Sequence, residues 1–232
     1  MTMAEIPMVP PGLEPLLQTD TVHVKETRHS TFQSCCTYDV LTSDGCLVYN
    51  AEEEQSCCGP RFSVWVRDLR GGDILHILLP TAWSSCESKM QVISVPGGSI
   101  LGYIDRTWKS FVLLTPTGQP TLEVRNPGWG SGFMSDINYR ITPYNDKTPL
   151  GVITRVWRGF RKEFLSSTDH YAIQFPADLD VKIKALLVAC VMFIYVLGGE
   201  YVPLGVLPRT LTGEVARWDQ THDSTGSLHA EQ

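Results

Sequence analysis

The stretch Asp178–Leu197 reads DLDVKIKALLVACVMFIYVL, and from Ala185 to Leu197 it is apolar without interruption. Asp178 and Asp180 place acid where a helix N-terminus favours it, and Gly198-Gly199 supplies a stop. A helix that is apolar on every side needs dry surroundings, either lipid or protein. The unbroken stretch reaches roughly 20 Å at about 1.5 Å per residue. A bilayer core is about 30 Å thick and asks for about 20 apolar residues. Length therefore favours a helix buried in protein.

The residues upstream supply that protein. Phe62–Asp68 alternates apolar and polar, turns at Arg70-Gly71-Gly72 and returns through Ile74–Leu79. The same rhythm recurs around Ser43-Asp44-Gly45, Pro96-Gly97-Gly98, Pro116-Thr117-Gly118 and Tyr144-Asn145-Asp146. With Val22–Arg28 first and Tyr171–Phe175 last, turn spacing predicts about twelve short strands. Hairpin-linked short strands imply antiparallel pairing in a sandwich or barrel. A wide closed barrel has an interior to fill, and an all-round apolar helix would fill it. The expected fold is mainly β: a closed antiparallel barrel of about twelve strands around a central hydrophobic C-terminal helix. Trp65, Trp83, Trp108, Trp129 and Trp157 read as side chains lining that barrel.

Composition narrows the function. Hydrophobic residues are 43% and charged residues 19%, a globular balance that excludes a largely disordered chain. The formal charge of −6 argues against a whole-surface nucleic-acid binder, which needs a basic face. Seven cysteines without a C-x-x-C spacing suggest neither a zinc ribbon nor thioredoxin chemistry, and free thiols in a reducing compartment fit best. Met1–Pro11 carries no signal peptide pattern, so the expectation is a protein facing the cytosol. Catalytic patterns such as H-E-x-x-H, G-x-S-x-G or a phosphate loop do not occur, and the six histidines are scattered. No enzyme is expected. Residues 1–11 read as a short Pro-containing arm, 12–199 as the folded domain with its helix at 178–197, and 200–232 as a mostly mobile tail.

The run Ile173–Ala185, IQFPADLDVKIKA, resembles the signature of the phospholipid scramblase family. Gly12-Leu13-Glu14, Cys57-Cys58-Gly59-Pro60, Gly102-Tyr103 with Thr107-Trp108, and Gly151-x-Ile153 leading to Trp157 extend the likeness from Gly12 to Gly199. The resemblance implies the tubby-like fold, twelve strands around a helix, in agreement with the strand count. It also implies calcium-stimulated, ATP-independent scrambling of phospholipids between leaflets, at the cytoplasmic face of the plasma membrane, with a cytosolic pool allowed for. Phospholipids and the anionic inner leaflet are the implied partners, and a homo-oligomer is allowed.

The family's calcium segment falls on Ser167–Asp178. Its ligand positions hold Ser167, Asp169, Tyr171, Ile173, Phe175 and Asp178, with Ala172 where a calcium loop wants Gly. A site of so few carboxylates would be weak. The alternative, in which His170–Phe175 is simply the last strand and Asp178 the helix cap, carries the greater weight. For palmitoyl attachment the family's cysteine run is reduced to Cys86, with Cys57 and Cys58 as further candidates, and one acyl chain anchors only marginally. Should the helix meet lipid instead, Ala185, Leu186, Leu187, Val188, Val191, Phe193 and Leu197 are its membrane residues. Arg155, Arg158, Arg161 and Lys162 form a basic strip suited to anionic lipid or to a solvated strand face. Two functions stand side by side: a lipid translocator, and a peripheral lipid- or protein-binding module of the same fold without transport.

Overall fold

A computed structural model describes residues 9–27, 36–54, 62–80, 89–107, 109–127, 135–156 and 170–196. Twelve strands follow one another: β1 (Thr21–Thr27), β2 (Thr37–Thr42), β3 (Leu47–Glu53), β4 (Phe62–Arg67), β5 (Asp73–Leu79) and β6 (Met90–Ser94). Then come β7 (Ser99–Arg106), β8 (Ser110–Leu114), β9 (Pro120–Arg125), β10 (Ile137–Pro143), β11 (Gly151–Arg155) and β12 (His170–Gln174). Each strand pairs antiparallel with its chain neighbours, and β1 closes the barrel on β12 through Val22 opposite Ile173 and Val24 opposite Tyr171. The expected barrel is present, and closure leaves no unpaired edge.

Period-two alternation decides what faces in. Val22 and Val24, Val64 and Val66, Ile77 and Leu79, Leu122 and Val124, Tyr139 and Ile141 are buried, while the residues between them are more exposed. Trp65 departs from the sequence expectation. It sits in the outward register of β4 and stacks on His76 of β5, with centroids 4.0 Å apart, while Phe62, Val64 and Val66 take the inward places. The other four tryptophans named above lie outside the described residues.

The barrel has two unlike rims. Turns at 43–46, 68–72, 95–98, 115–119 and 144–150 join strand pairs at one rim, where the sequence placed its turns. The opposite rim carries the remaining strand connections, each of which includes residues outside the described set.

The helix α1 (Val181–Val196) enters at the tight-turn rim. It starts later than Asp178 because Asp180 is the cap: its carboxylate accepts from the Lys182 amide at 2.7 Å, and its carbonyl takes the first helical bond from Lys184 at 3.0 Å. From Ala185 to Met192 no residue is more than 3% exposed, so the helix is wrapped on all sides. Near its far end Phe193 meets Phe111 at 5.6 Å, and Tyr195 packs between Tyr38 and Tyr171 with its hydroxyl donating to the Val24 carbonyl at 3.0 Å.

Two glycines quoted for the resemblance are packing points. Gly12 has φ +88 and would drive a Cβ into Ile74, while its carbonyl accepts from the Tyr49 hydroxyl at 2.6 Å. A Cβ on Gly102 of β7 would meet the Leu114 carbonyl oxygen and, at 2.9 Å, Cδ1 of Leu186 on α1. The missing side chain lets β7 pack directly on Leu186 of the helix. Gly102→Ala is expected to cost about 1–3 kcal/mol, read as a lower denaturation midpoint. Gly97→Ala, whose added carbon meets nothing nearer than the Ser99 hydroxyl at 3.7 Å, should leave that midpoint in place.

Candidate functional site

The barrel interior offers no passage, because α1 fills it. Ala185, Leu186, Leu187, Val188, Val191 and Phe193, expected as membrane residues if the helix met lipid, are core residues of the barrel instead. Their apolar surface is satisfied by the inward positions of the strands. Leu197 lies outside the described residues. Among the described residues no helix is long and apolar enough to cross a membrane.

Among the described residues one charged side chain, Lys184, is fully buried. It lies one turn into α1, and its ammonium donates to four backbone carbonyls: Leu16 at 2.9 Å, Leu17 at 3.0 Å, Thr19 at 2.8 Å and Ala177 at 2.7 Å. Nζ also lies 5.2 Å from the centroid of Phe175. Burial lowers its pKa from the ordinary lysine value, opposed by Asp178 and Asp20. The chain before β1, where Leu13 and Leu16 are buried, is thereby fastened to the start of the helix. Sequence reading saw Lys184 only as part of a signature; a lysine among apolar residues four positions from a cap was the available signal.

Of the calcium segment, residues 170–178 are described. Its first part is β12, whose backbone is committed to ladders with β1 and β11 and whose Tyr171 and Ile173 side chains, like that of Phe175 just after it, are buried in the core. Asp178 follows that strand at the tight-turn rim and is exposed, whereas Ser167 and Asp169 precede it, outside the described residues. Calcium requires its oxygens within about 2.6 Å of one centre. Of the described positions, Tyr171 and Ile173 are held in β12 and Asp178 stands exposed beyond its end, at about 3.3 Å of chain per strand residue. Among the described residues no cluster of three or more His, Cys, Asp or Glu is placed to hold a metal.

The candidate acylation cysteines Cys57, Cys58 and Cys86 lie outside the described residues. The described cysteines are free thiols: Cys36, Cys46 and Cys190. Burial, with Glu53 and Glu26 nearby, pushes the Cys36 thiol up to about 11; burial also raises Cys190, and a hydrogen bond to Asp44 raises Cys46. A raised pKa withholds the thiolate that reacts. Of the basic strip, Arg155 ends β11 opposite Ile137 and Tyr171, in the register of inward Ile153; Arg158, Arg161 and Lys162 lie outside the described residues.

Polar groups gather on the outer wall. Ser63 Oγ lies 2.9 Å from His76 Nε2 and 3.3 Å from Glu54 Oε2, which also accepts from Trp65 Nε1 at 2.9 Å. Ser63 is only 2% exposed, so this network braces β4 on β5 and presents no nucleophile to a substrate. Histidines that look scattered along the chain are not all apart in space. Barrel closure brings His23 Nδ1 within 3.0 Å of His170 Nε2, and burial, then Lys25, lowers the pKa of His23. On the neighbouring strands Asn138, Arg140, Leu150, Val152, Thr154 and Gln174 line a groove of about 610 Å³.

A family model described as Scramblase matches residues 1–196. Phospholipid scramblase 1 of Rattus norvegicus is 32% identical over 202 residues, covering 78% of this chain and 60% of that protein. Phospholipid scramblase 1 of Mus musculus is likewise 32% identical, with 62% of its length covered. Phospholipid scramblase family member 5 of Homo sapiens is 27% identical over 206 residues, 80% of this chain and 76% of the relative. The chain thus spans about 60% of the length of the first two relatives. A solved structure of a protein from Arabidopsis thaliana superimposes with a TM-score of 0.49 at 12% identity, covering 81% of this chain and 99% of its own.

Proposed function

The chain belongs to the Scramblase family, and on that premise we propose that it moves phospholipids between membrane leaflets without ATP, working at the cytoplasmic face of the plasma membrane. The family match across residues 1–196 carries this reading. Polar groups cannot cross hydrocarbon unsatisfied, each costing several kcal/mol. With the barrel filled, the headgroup path in this reading follows the polar outer wall of the barrel, either by thinning the bilayer beside it or between copies in an oligomer. Palmitoylation at Cys57, Cys58 or Cys86 would add membrane residence, each chain contributing marginally on its own. Calcium stimulation, where it occurs, does not depend on Asp178 as a ligand in a continuous loop.

The burial of α1 favours a second reading, a peripheral lipid-binding module without transport. Reconstitution separates the two. Purified full-length chain in liposomes carrying labelled phospholipid is expected to accelerate label loss over empty vesicles, without ATP, and Asp178→Ala is expected to keep the same calcium response. No acceleration at saturating calcium leaves the binding module; loss of the calcium response in Asp178→Ala restores the linear calcium loop.

A further inference from the structure

The outward positions of four adjacent strands differ from the rest of this acidic chain. On β10 they are Asn138 and Arg140, Thr142 of the same register being buried; on β11, Val152 and Thr154; on β12, His170, Ala172 and Gln174; on β1, Thr21, His23, Lys25 and Thr27. None of these is a carboxylate, although the chain carries 25 Asp plus Glu against 19 Lys plus Arg. Glu26 falls in the inward register opposite Tyr38, and the acids of this sector, Asp20, Asp136, Asp146 and Asp178, lie beyond the strand ends. The outward positions here carry two cations, Arg140 and Lys25, and no acid; the nearest strand acid in register is Asp39 of β2, opposite Lys25.

Arg140 anchors it. Its cross-strand neighbour is Arg125, a like-charge pair that is unfavourable unless compensated. Arg125 is compensated, with Nε and a terminal nitrogen each 2.9 Å from Glu123 Oε2. Arg140 is exposed and borders the groove, and no ion pair joins it to another of the described residues. Beside it, Asn138 uses its side-chain oxygen to accept from Thr154 Oγ1 at 2.8 Å, which leaves its amide donors uncommitted, and exposed Gln174 adds another amide. A fork of guanidinium donors beside side-chain amides matches the oxygens of a phosphate.

We propose that the outer wall of β10, β11, β12 and β1 is the surface on which the protein meets anionic phospholipid headgroups, with a headgroup phosphate seated against Arg140 and Lys25 at the other side of the face. This deepens the lipid reading above and rests on phospholipid being the ligand. Charge complementarity selects the occupant: a sheet of negative headgroups offers many phosphates at once, and each basic residue near such a surface adds a similar increment.

The test is co-sedimentation of the purified full-length chain with phosphatidylcholine vesicles, with and without phosphatidylserine. Wild type is expected to partition more strongly onto the phosphatidylserine vesicles. Arg140→Gln and Lys25→Gln should each weaken that partition about fivefold, and together about twenty-five-fold, with circular dichroism unchanged. Lys89→Gln removes the same charge from the other side of the barrel, beside β6 and 4.0 Å from Asp105, and should have little effect. Equal loss from Lys89→Gln and Arg140→Gln would make the attraction one of net charge and overturn the assignment. So would binding of inorganic phosphate at Arg140, followed by amide shifts, in a protein that shows no preference for phosphatidylserine vesicles. Vesicle binding that follows these variants while liposomes show no flipping removes transport alone. Flipping and binding that are both indifferent to Arg140 and Lys25 remove this surface alone.

Discussion

Val191→Asp is expected to abolish the folded barrel, leaving a chain that recovers in the insoluble fraction and shows no cooperative thermal transition. Val191 is fully buried at mid-helix, where α1 presents apolar side chains in every direction. A carboxylate there has no rotamer that reaches water. Burial would either hold it ionised at a cost of several kcal/mol or force it to take up a proton and still leave its hydroxyl without a partner. A domain is stable by only about 5–15 kcal/mol, so one such group removes much of the margin. Val191→Ala, which deletes methyl groups without adding charge, should cost about 2 kcal/mol and stay folded. The pair therefore separates loss of packing from burial of charge. A Val191→Asp protein that remains soluble with the wild-type melting curve would mean that the helix is not the centre of the fold. The same variant bears on transport: removing α1 from the barrel to place it in lipid would strip every inward residue of its partner, at about 2–5 kcal/mol for each large side chain lost.

The helix and the strand number were readable in the sequence because both depend on short-range patterns. Ala185–Leu197 has no polar face, so it had to be enclosed, and the turn clusters at 43–45, 70–72, 96–98, 116–118 and 144–146 each mark a hairpin that the barrel contains. What could not be read was which residues closure makes neighbours. His23 and His170 stand 147 residues apart and touch only because β1 pairs with β12. The carboxylate-free wall is equally invisible in one dimension, since its strands come from both ends of the domain. Trp65 was misplaced because Phe62–Arg67 is apolar on both faces at one point: stacking on His76 lets an aromatic side chain lie outward without being left bare. The last strand was legible inside the calcium window because His170–Phe175 alternates as a strand does, and β12 occupies His170–Gln174.

Lys184→Met is expected to destabilise the domain by at least about 3 kcal/mol while keeping the volume of the side chain. The four carbonyls of Leu16, Leu17, Thr19 and Ala177 converge on one ammonium. An acceptor left unpaired in a buried place costs about 1–3 kcal/mol, and methionine supplies no donor to any of the four. The damage should be local first: amide exchange at Leu16 and Leu17 should quicken before that of the strands, because this cage ties the chain ahead of β1 to α1. The pH dependence gives a second readout. Burial lowers the Lys184 pKa in the folded state from the ordinary 10.5, so over the range just below 10.5 the unfolded chain holds a proton that the folded one sheds more readily. Stability from this group therefore rises with pH through that window, and the rise should be missing in Lys184→Met. The variant also separates the two functional readings. If transport requires α1 to leave the barrel, unfastening its first turn should make the protein resist carbonate extraction and flip lipid faster than wild type at equal loading. If the helix is core in every working state, the variant should only melt earlier and bind vesicles as wild type does until it unfolds.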